Sequence, residues 1–475
     1  MVRHMKLYHK FRNSSLDISL LGLFTGSEVS ESVYTPTGAR IVGWVQENGA
    51  HFCQIEGFGG MVFAVDPNAT PGDCIHPVAA SMTDFLALLC ACRDASVILG
   101  AYRWSSRRFS EKIAAVPADF RRKSVLRAVA NTYKTPEIAD PYGYITGLQH
   151  EFDYTSLPLH PDYYEWCPIR PGMLKWDVGF GTGFADYCEK DQAGQEMPLN
   201  RYFTWADEKW CVPAIYLCEH GIIVDSYLEV DSGRIDTFMD KWGSKDTASL
   251  TIEEQMLREL DDPLSIEVIG SLEVNDRPIP RRQTICLTWN PRTDNPWQAR
   301  RTLEHYKLDR EKGYLLRREF FLRRGNNPPI RTMQLHLSAE PMSIPGQRFI
   351  APRPGESITI NHPITGAEHR MTVSSLTREA LDPNFLSNHP CCYTRLGFNL
   401  EPPIGKDLIA VVDCDPGDPV DGGISAQRTV NFPVKTPVVG HWAVSSLRYT
   451  PADQITWRTI FRQRTREDQC VSLLP

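Results

Sequence analysis

Between Ala39 and Trp104 the spacing of apolar residues changes period, and the change outlines one supersecondary unit. Ala39 to Val45 (ARIVGWV) and His51 to Ile55 (HFCQI) alternate like strands around Glu47-Asn48-Gly49. Asn-Gly at such a junction predicts a hairpin, because both residues tolerate positive φ. A third run, Met61 to Val65, follows Gly57-Phe58-Gly59-Gly60 and stops at Asp66-Pro67. From Ser81 the period becomes 3.6: Phe85, Leu88, Leu89 and Cys92 share a helical face, and Ser81 with Asp84 forms a capping-box-like start. A further apolar run from Val97 to Trp104 predicts a second helix folding back.

Downstream the pattern loosens. Glu111 to Tyr133 reads as a helix interrupted at Pro117. From Thr135 prolines punctuate aromatic segments (Pro141-Tyr142-Gly143-Tyr144; Pro158, Pro161 and Pro168), which predicts loops and edge strands. Strands are expected at 201–205, 210–217 and 222–230, and helices at 232–242 and 249–260. Beyond Leu264 the chain is expected to be almost wholly β, with short strands separated by Pro, Gly and Asn clusters, which is the pattern of a sandwich or open barrel. The fold class expected is an α+β N-terminal domain followed by β-rich (sandwich or open-barrel) domains. The division is 1–112, a helical linker 113–134, a β-rich α+β domain 135–264 and a β-sandwich-like domain 265–475.

A chain of 475 residues exceeds what one core supports, so several domains are required. Hydrophobic residues at 42% and charged residues at 23% exclude a mainly disordered chain. A formal net charge of -7 argues against a nucleic-acid-binding protein, since phosphate contacts need a basic surface. No window of 18 uninterrupted apolar residues exists, so no membrane span is expected. The 13 cysteines form no Cys-x-x-Cys pair and read as reduced structural thiols of a cytoplasmic protein.

The stretch GWVQENGAHFCQIEGFGGMVFAVDP, followed by HPVAASMTDFLALLCAC, resembles the SUKH superfamily, which takes in bacterial toxin-immunity proteins and a fungal cell-wall regulator. The resemblance covers roughly Thr35 to Trp104. It implies an α+β platform that binds other proteins and has no shared catalytic set. Taken with the pre-bent loop Asp66 to Pro77 and the hairpin aromatics, it points to another protein as partner, with Trp44, Phe52, Phe58, Asp66 and His76 as contact residues and no cofactor.

Other constellations were weighed for chemistry. Met173 to Phe184 (MLKWDVGFGTGF) looks like the first motif of S-adenosylmethionine-dependent methyltransferases, and Asp177 to Gly183 is the alternative reading of function. His150, Glu151, Asp153, His160 and Asp162 are metal-ligand types, read as caps of loop backbone. Asp413, Asp415 and Asp418 lack the glycine and glutamate of an EF-hand and read as an acidic turn. Arg317, Arg318, Arg323, Arg324 and Arg331 fall on alternating strand sides, so a surface pairing with carboxylates near Glu319 and Asp309 is expected instead of a nucleic-acid face.

Overall fold

The computed structural model describes residues 2–25, 32–45, 48–70, 72–167, 169–172, 176–184, 193–323, 329–381, 390–415, 440–464 and 466–474. In chain order its first elements are helix α1 (Val2–Arg12), strands β1 (Ala39–Trp44), β2 (His51–Ile55), β3 (Val62–Val65) and β4 (Ile75–Ala79), then helices α2 (Met82–Cys92), α3 (Ala95–Gly100), α4 (Ser106–Ala115), α5 (Phe120–Tyr133), α6 (Pro141–Glu151) and α7 (Tyr163–Trp166). There follow β5 (Gln195–Trp205), β6 (Glu208–Cys218), β7 (Gly221–Val230), α8 (Ser232–Trp242), α9 (Ile252–Asp261), β8 (Val268–Val274), β9 (Arg277–Ile279), β10 (Arg281–Trp289), α10 (Trp297–Tyr306) and β11 (Gly313–Leu322). The elements that follow among the described residues are strands and one short helical turn (Lys406–Leu408): a helix-bearing first part gives way to antiparallel sheets, an α+β region followed by β-rich ones.

Contacts divide the chain into two units, and both are discontinuous. Unit 1 holds residues 1–235, 272–333 and 473–475; unit 2 holds 236–271 and 334–472. The boundary expected near residue 112 therefore falls inside unit 1, and the one near 265 inside the first stretch of unit 2.

In unit 1, β1 to β4 form one antiparallel sheet in sequence order. The Asn48-Gly49 turn closes the first hairpin, with Gly49 at φ +89° and the Asn48 side chain accepting the Ala50 amide. Both faces of this sheet are covered. Val42, Phe52, Val62, Ala64 and Val78 pack on helices through Phe85, Leu89 and Val129. The alternate residues Cys53, Ile55, Phe63, Val65 and Ile75 pack under Leu157, Tyr163 and Cys167. Strand burial is consequently continuous, not alternating. Helix α2 starts as its sequence dictates: Ser81 accepts the Asp84 amide at 3.2 Å and donates to the Asp84 carboxylate at 2.7 Å.

Two expectations for this part are corrected. The loop Asp66 to Pro77 ends early: β4 begins at Ile75, and its proline is tolerated because β4 is an edge strand with a register shift opposite Val62/Phe63. The proline-punctuated segment at 141 is helix α6. Pro141 occupies its first turn, where no amide is needed, and Asp140 caps the Gly143 amide at 2.9 Å.

The second sheet of unit 1 runs in the order β10-β11-β7-β6-β5, all antiparallel. Helix α10 packs against it through Ala299 and Leu303. It is the one α-helix among the described residues of the stretch beyond Leu264, which was expected to be almost wholly strand. The arginines of β11 are also not on the surface: Arg317 and Arg318 are 2% exposed, and each is paired inside the sheet layer. Two sheets lie wholly within unit 2. Strands 342–350, 456–463 and 409–413 form one sheet, and strands 357–361, 368–380, 392–401 and 441–444 the other. Ile344, Met371, Phe398, Val411 and Trp457 share one core, with α9 on the outer strand 342–350.

No single helix among the described residues is long and apolar enough to cross a membrane. The one pair that passes on composition together, α2 with 95–103, is bent by 103°.

Candidate functional site

The chain brings chemistry together in one cleft of unit 1. Its volume is about 780 Å³, and it is lined by β4, α6, the segment 152–172 and α10 with the residues after it. Helix α6 lines it with Tyr142, Gln149 and His150 as well as with two glycines. Ile145 turns into the core, while Gly143, Thr146 and Gly147 line the cleft, and a Cβ at Gly147 would meet no atom within 4 Å. Tyr142 fixes this helix by donating to the Trp104 carbonyl at 2.8 Å.

The segment after α6 is clamped by Arg170, whose guanidinium donates to the carbonyls of Tyr154, Thr155 and Leu157 at 3.2, 2.6 and 2.7 Å. Gly172 then passes directly over the Tyr154 ring at φ +68°. A Cβ there would lie 2.2 Å from the ring, so only glycine fits. Tyr154 is thereby set against His76 of β4, with 2.9 Å between its hydroxyl and Nδ1. The other side of the imidazole stacks on Tyr102, with centroids 4.5 Å apart and planes 24° apart.

Beneath these rings runs a chain of buried charges. Asp73 pairs with Arg300, Arg300 with Glu304 at 2.8 Å, and Glu304 with Arg310. Arg310 also donates to the Tyr102 carbonyl at 3.2 Å. Burial drives the Asp73 carboxyl above its usual range, against the opposing pull of Arg300. Burial and the neighbouring Arg300 cation push His76 down to about 3, so the imidazole is neutral at physiological pH. Its Nε2 lies 3.7 Å from Asp73 Oδ1 and has no hydrogen-bond partner, although the residue is only 8% exposed. A neutral imidazole nitrogen without a partner can act as either donor or acceptor, according to which tautomer Tyr154 selects; this one is itself covered, so a ligand reaches it only with a local shift.

Of the five contact residues expected from sequence, His76 lines this cleft and the other four do not; His150, weighed as a metal-ligand type, lines it too. Trp44 and Phe52 are corrected as contact residues. They are 5% and 0% exposed, because the sheet is covered on both faces; Trp44 stacks near His51 and Phe52 on Phe85. Phe58 is half-buried against Phe63, and Asp66 is buried, accepting the Asn68 amide at 3.0 Å. Asp73, Tyr102, Tyr154, Arg300, Glu304 and Arg310 were not anticipated. The nearest sequence signal was the i, i+4 pair Arg300/Glu304.

The remaining constellations fall elsewhere. Residues 173–175 of the glycine-rich motif lie outside the described residues. The part that follows is a closed turn: Thr182 Oγ1 accepts the Gly179 amide at 3.0 Å, the Thr182 amide donates back to Gly179, and Gly179 bridges Ala193 antiparallel. Asp153 accepts from Thr155, and His160 accepts the Asp162 amide at 3.2 Å, both as local caps. No group of three metal-ligating side chains converges among the described residues. In unit 2, Asp413 accepts from Asp415, Ser446 and Arg448; Asp418, with most of the loop expected at 413–423, lies outside the described residues. Arg324 also lies outside them. No protein-family model, curated protein or solved structure matches this chain.

Proposed function

We propose that this protein is a non-enzymatic binding protein whose partner, another protein, inserts an uncharged side chain into the cleft. The observation that carries the reading is His76, a buried neutral imidazole with one unpartnered nitrogen, among the residues lining a cavity of about 780 Å³. Asp73, Arg300, Glu304 and Arg310 are already paired with one another, so a charged group would have to break an existing ion pair to dock. A neutral amide, hydroxyl or aromatic group avoids that cost. The resemblance of residues 35–104 to protein-binding domains points the same way. The methyltransferase alternative has less support. Its glycine turn hydrogen-bonds to itself and leads into an antiparallel sheet, whereas an adenosyl site uses a strand-to-helix turn of a parallel one.

The test uses the full-length chain carrying a photo-crosslinking residue at the exposed position His150 on the cleft rim. The background is either native or Gly147→Trp, which fills the cleft from an open helical position. Crosslinking to a polypeptide in the native background that Gly147→Trp abolishes, with unchanged melting temperature, is the expected result. Crosslinking that Gly147→Trp leaves intact overturns the reading.

A further inference from the structure

The cluster on the opposite face of the first sheet contains two thiols that meet at one phenol. Cys74 immediately precedes β4 and Cys167 immediately follows α7, yet both side chains reach the same hydroxyl. The Tyr163 hydroxyl lies 3.0 Å from the Cys74 sulfur and 3.2 Å from the Cys167 sulfur. We propose that Cys74 and Cys167 are a peroxide-reactive dithiol that closes to a disulfide. This site is independent of the cleft reading.

Reactivity of a thiol follows its thiolate character, and the arrangement distributes protons unequally. The hydrogen bond from Cys74, joined by that from Tyr163, outweighs burial and holds Cys167 down at about 5, while Cys74 is driven the other way. One thiolate stabilised by a neighbouring thiol and a phenol is the electronic arrangement of an attacking sulfur with its resolving partner. By contrast, Cys53 lies in the same apolar cluster with burial alone acting on it, and its thiol is raised.

Access is the remaining requirement, since both sulfurs are 1% exposed. The layer above them is thin. Trp166, the residue before Cys167, is 67% exposed, and the half-buried Tyr34 ring covers Tyr163 edge-on at 6.0 Å. Helix α7 is a single turn, and its local opening is the route by which an oxidant reaches the pair.

The chemistry balances with hydrogen peroxide as the oxidant. The Cys167 thiolate attacks one peroxide oxygen, the O–O bond breaks, and hydroxide leaves and takes a proton as water. The sulfenic acid so formed is attacked by Cys74 sulfur; the S–O bond breaks, a second water leaves with the Cys74 proton, and the S–S bond forms. Two thiols are oxidised and one peroxide is reduced to two waters.

The experiment treats the reduced full-length chain with hydrogen peroxide at pH 7, blocks free thiols by alkylation and maps peptides without reductant. The expected result is a peptide pair linked through Cys74 and Cys167, two hydrogens lighter than its parts and separated by dithiothreitol, formed before Cys53 is modified. Cys74→Ser should leave Cys167 as a sulfenic acid that dimedone traps. Because a thiol near 5 is almost wholly thiolate at pH 7, Tyr163→Phe should slow linkage only as far as it carries the thiol pKa past 7, by about tenfold for each unit beyond. Cys74 and Cys167 remaining alkylatable in the native chain while other cysteines oxidise overturns the proposal, and so does their oxidation to sulfinic acids with no linked peptide.

Discussion

Helix α10 serves two buried charge clusters in unit 1, and they end in opposite states. On one side Tyr306 donates to Asp225 at 2.8 Å, and Arg318 grips the same carboxylate with two bonds of 2.8 Å. The third Arg318 bond goes to the Gly183 carbonyl, and Trp176, Tyr216 and Tyr306 relay hydrogen bonds of 2.8 and 2.7 Å. This cluster is saturated: Nε, Nη1 and Nη2 of Arg318 all have partners. On the other side Arg300 reaches Asp73 and Glu304, but its Nε and the His76 Nε2 have no partner. A network that satisfies every member is scaffold, because nothing in it gains from a ligand; one that stops short at a cavity wall retains free energy to be released on binding.

Breaking the saturated cluster should have the largest effect. Asp225→Ala leaves the Arg318 guanidinium buried without its carboxylate and should destabilise unit 1 by about 3–5 kcal/mol, measured by urea unfolding. A loss under about 1 kcal/mol would remove the contrast between the clusters.

Acid should act chiefly on the open cluster. His76 is held neutral with its folded pKa below the unfolded value of about 6.5, so below that pH the unfolded chain binds a proton the folded one refuses. Stability from this group is therefore present above pH ~6.5 and declines by up to ~1.4 kcal/mol per pH unit toward about 3. Asp73 works in the opposite sense: its raised carboxyl takes its proton earlier in the folded state, offsetting part of the loss as pH falls. The Asp73 contribution is largely common to the native chain and His76→Phe. The difference between their thermal melts from pH 7 to 4 should thus isolate the imidazole, with the native chain losing more. Parallel curves would mean that His76 is protonated in the fold.

At neutral pH the same His76→Phe substitution should be mild. It removes one hydrogen bond to Tyr154 and keeps the stack on Tyr102, a loss of about 0.5–1.5 kcal/mol by denaturant titration. The smallest effect belongs to the α6 face: Gly147→Ala meets open space and should stabilise by about 0.5–1 kcal/mol through helix propensity.

What could be read in advance follows the range of each signal. The Asn48-Gly49 hairpin, the Ser81 cap and the helix at 232–242 are written in residues within one turn of each other, and all three are present. Strand β4 was missed because a proline argues against a strand unless its edge position is known, and that position depends on the whole sheet. Helix α10 was missed because Arg300 and Arg301 occupy its buried face, so the polar side that normally marks solvent marks the interior here. The same reversal hid Arg317 and Arg318. The cleft draws on residues 73–76, 102, 142–154, 172 and 300–310, and no local spacing connects them.

That scatter fixes an order of events during synthesis. Strand β4 with Asp73 and His76 leaves the ribosome while Arg300, Glu304 and Arg310 are still untranslated, a delay on the order of ten to fifty seconds at ~5–20 residues per second. Through that interval Asp73 has no cation to meet and must remain hydrated. The first sheet can be nascent and ordered, but the recognition wall is a late product of translation, and a chain arrested before residue 300 would display the platform without it.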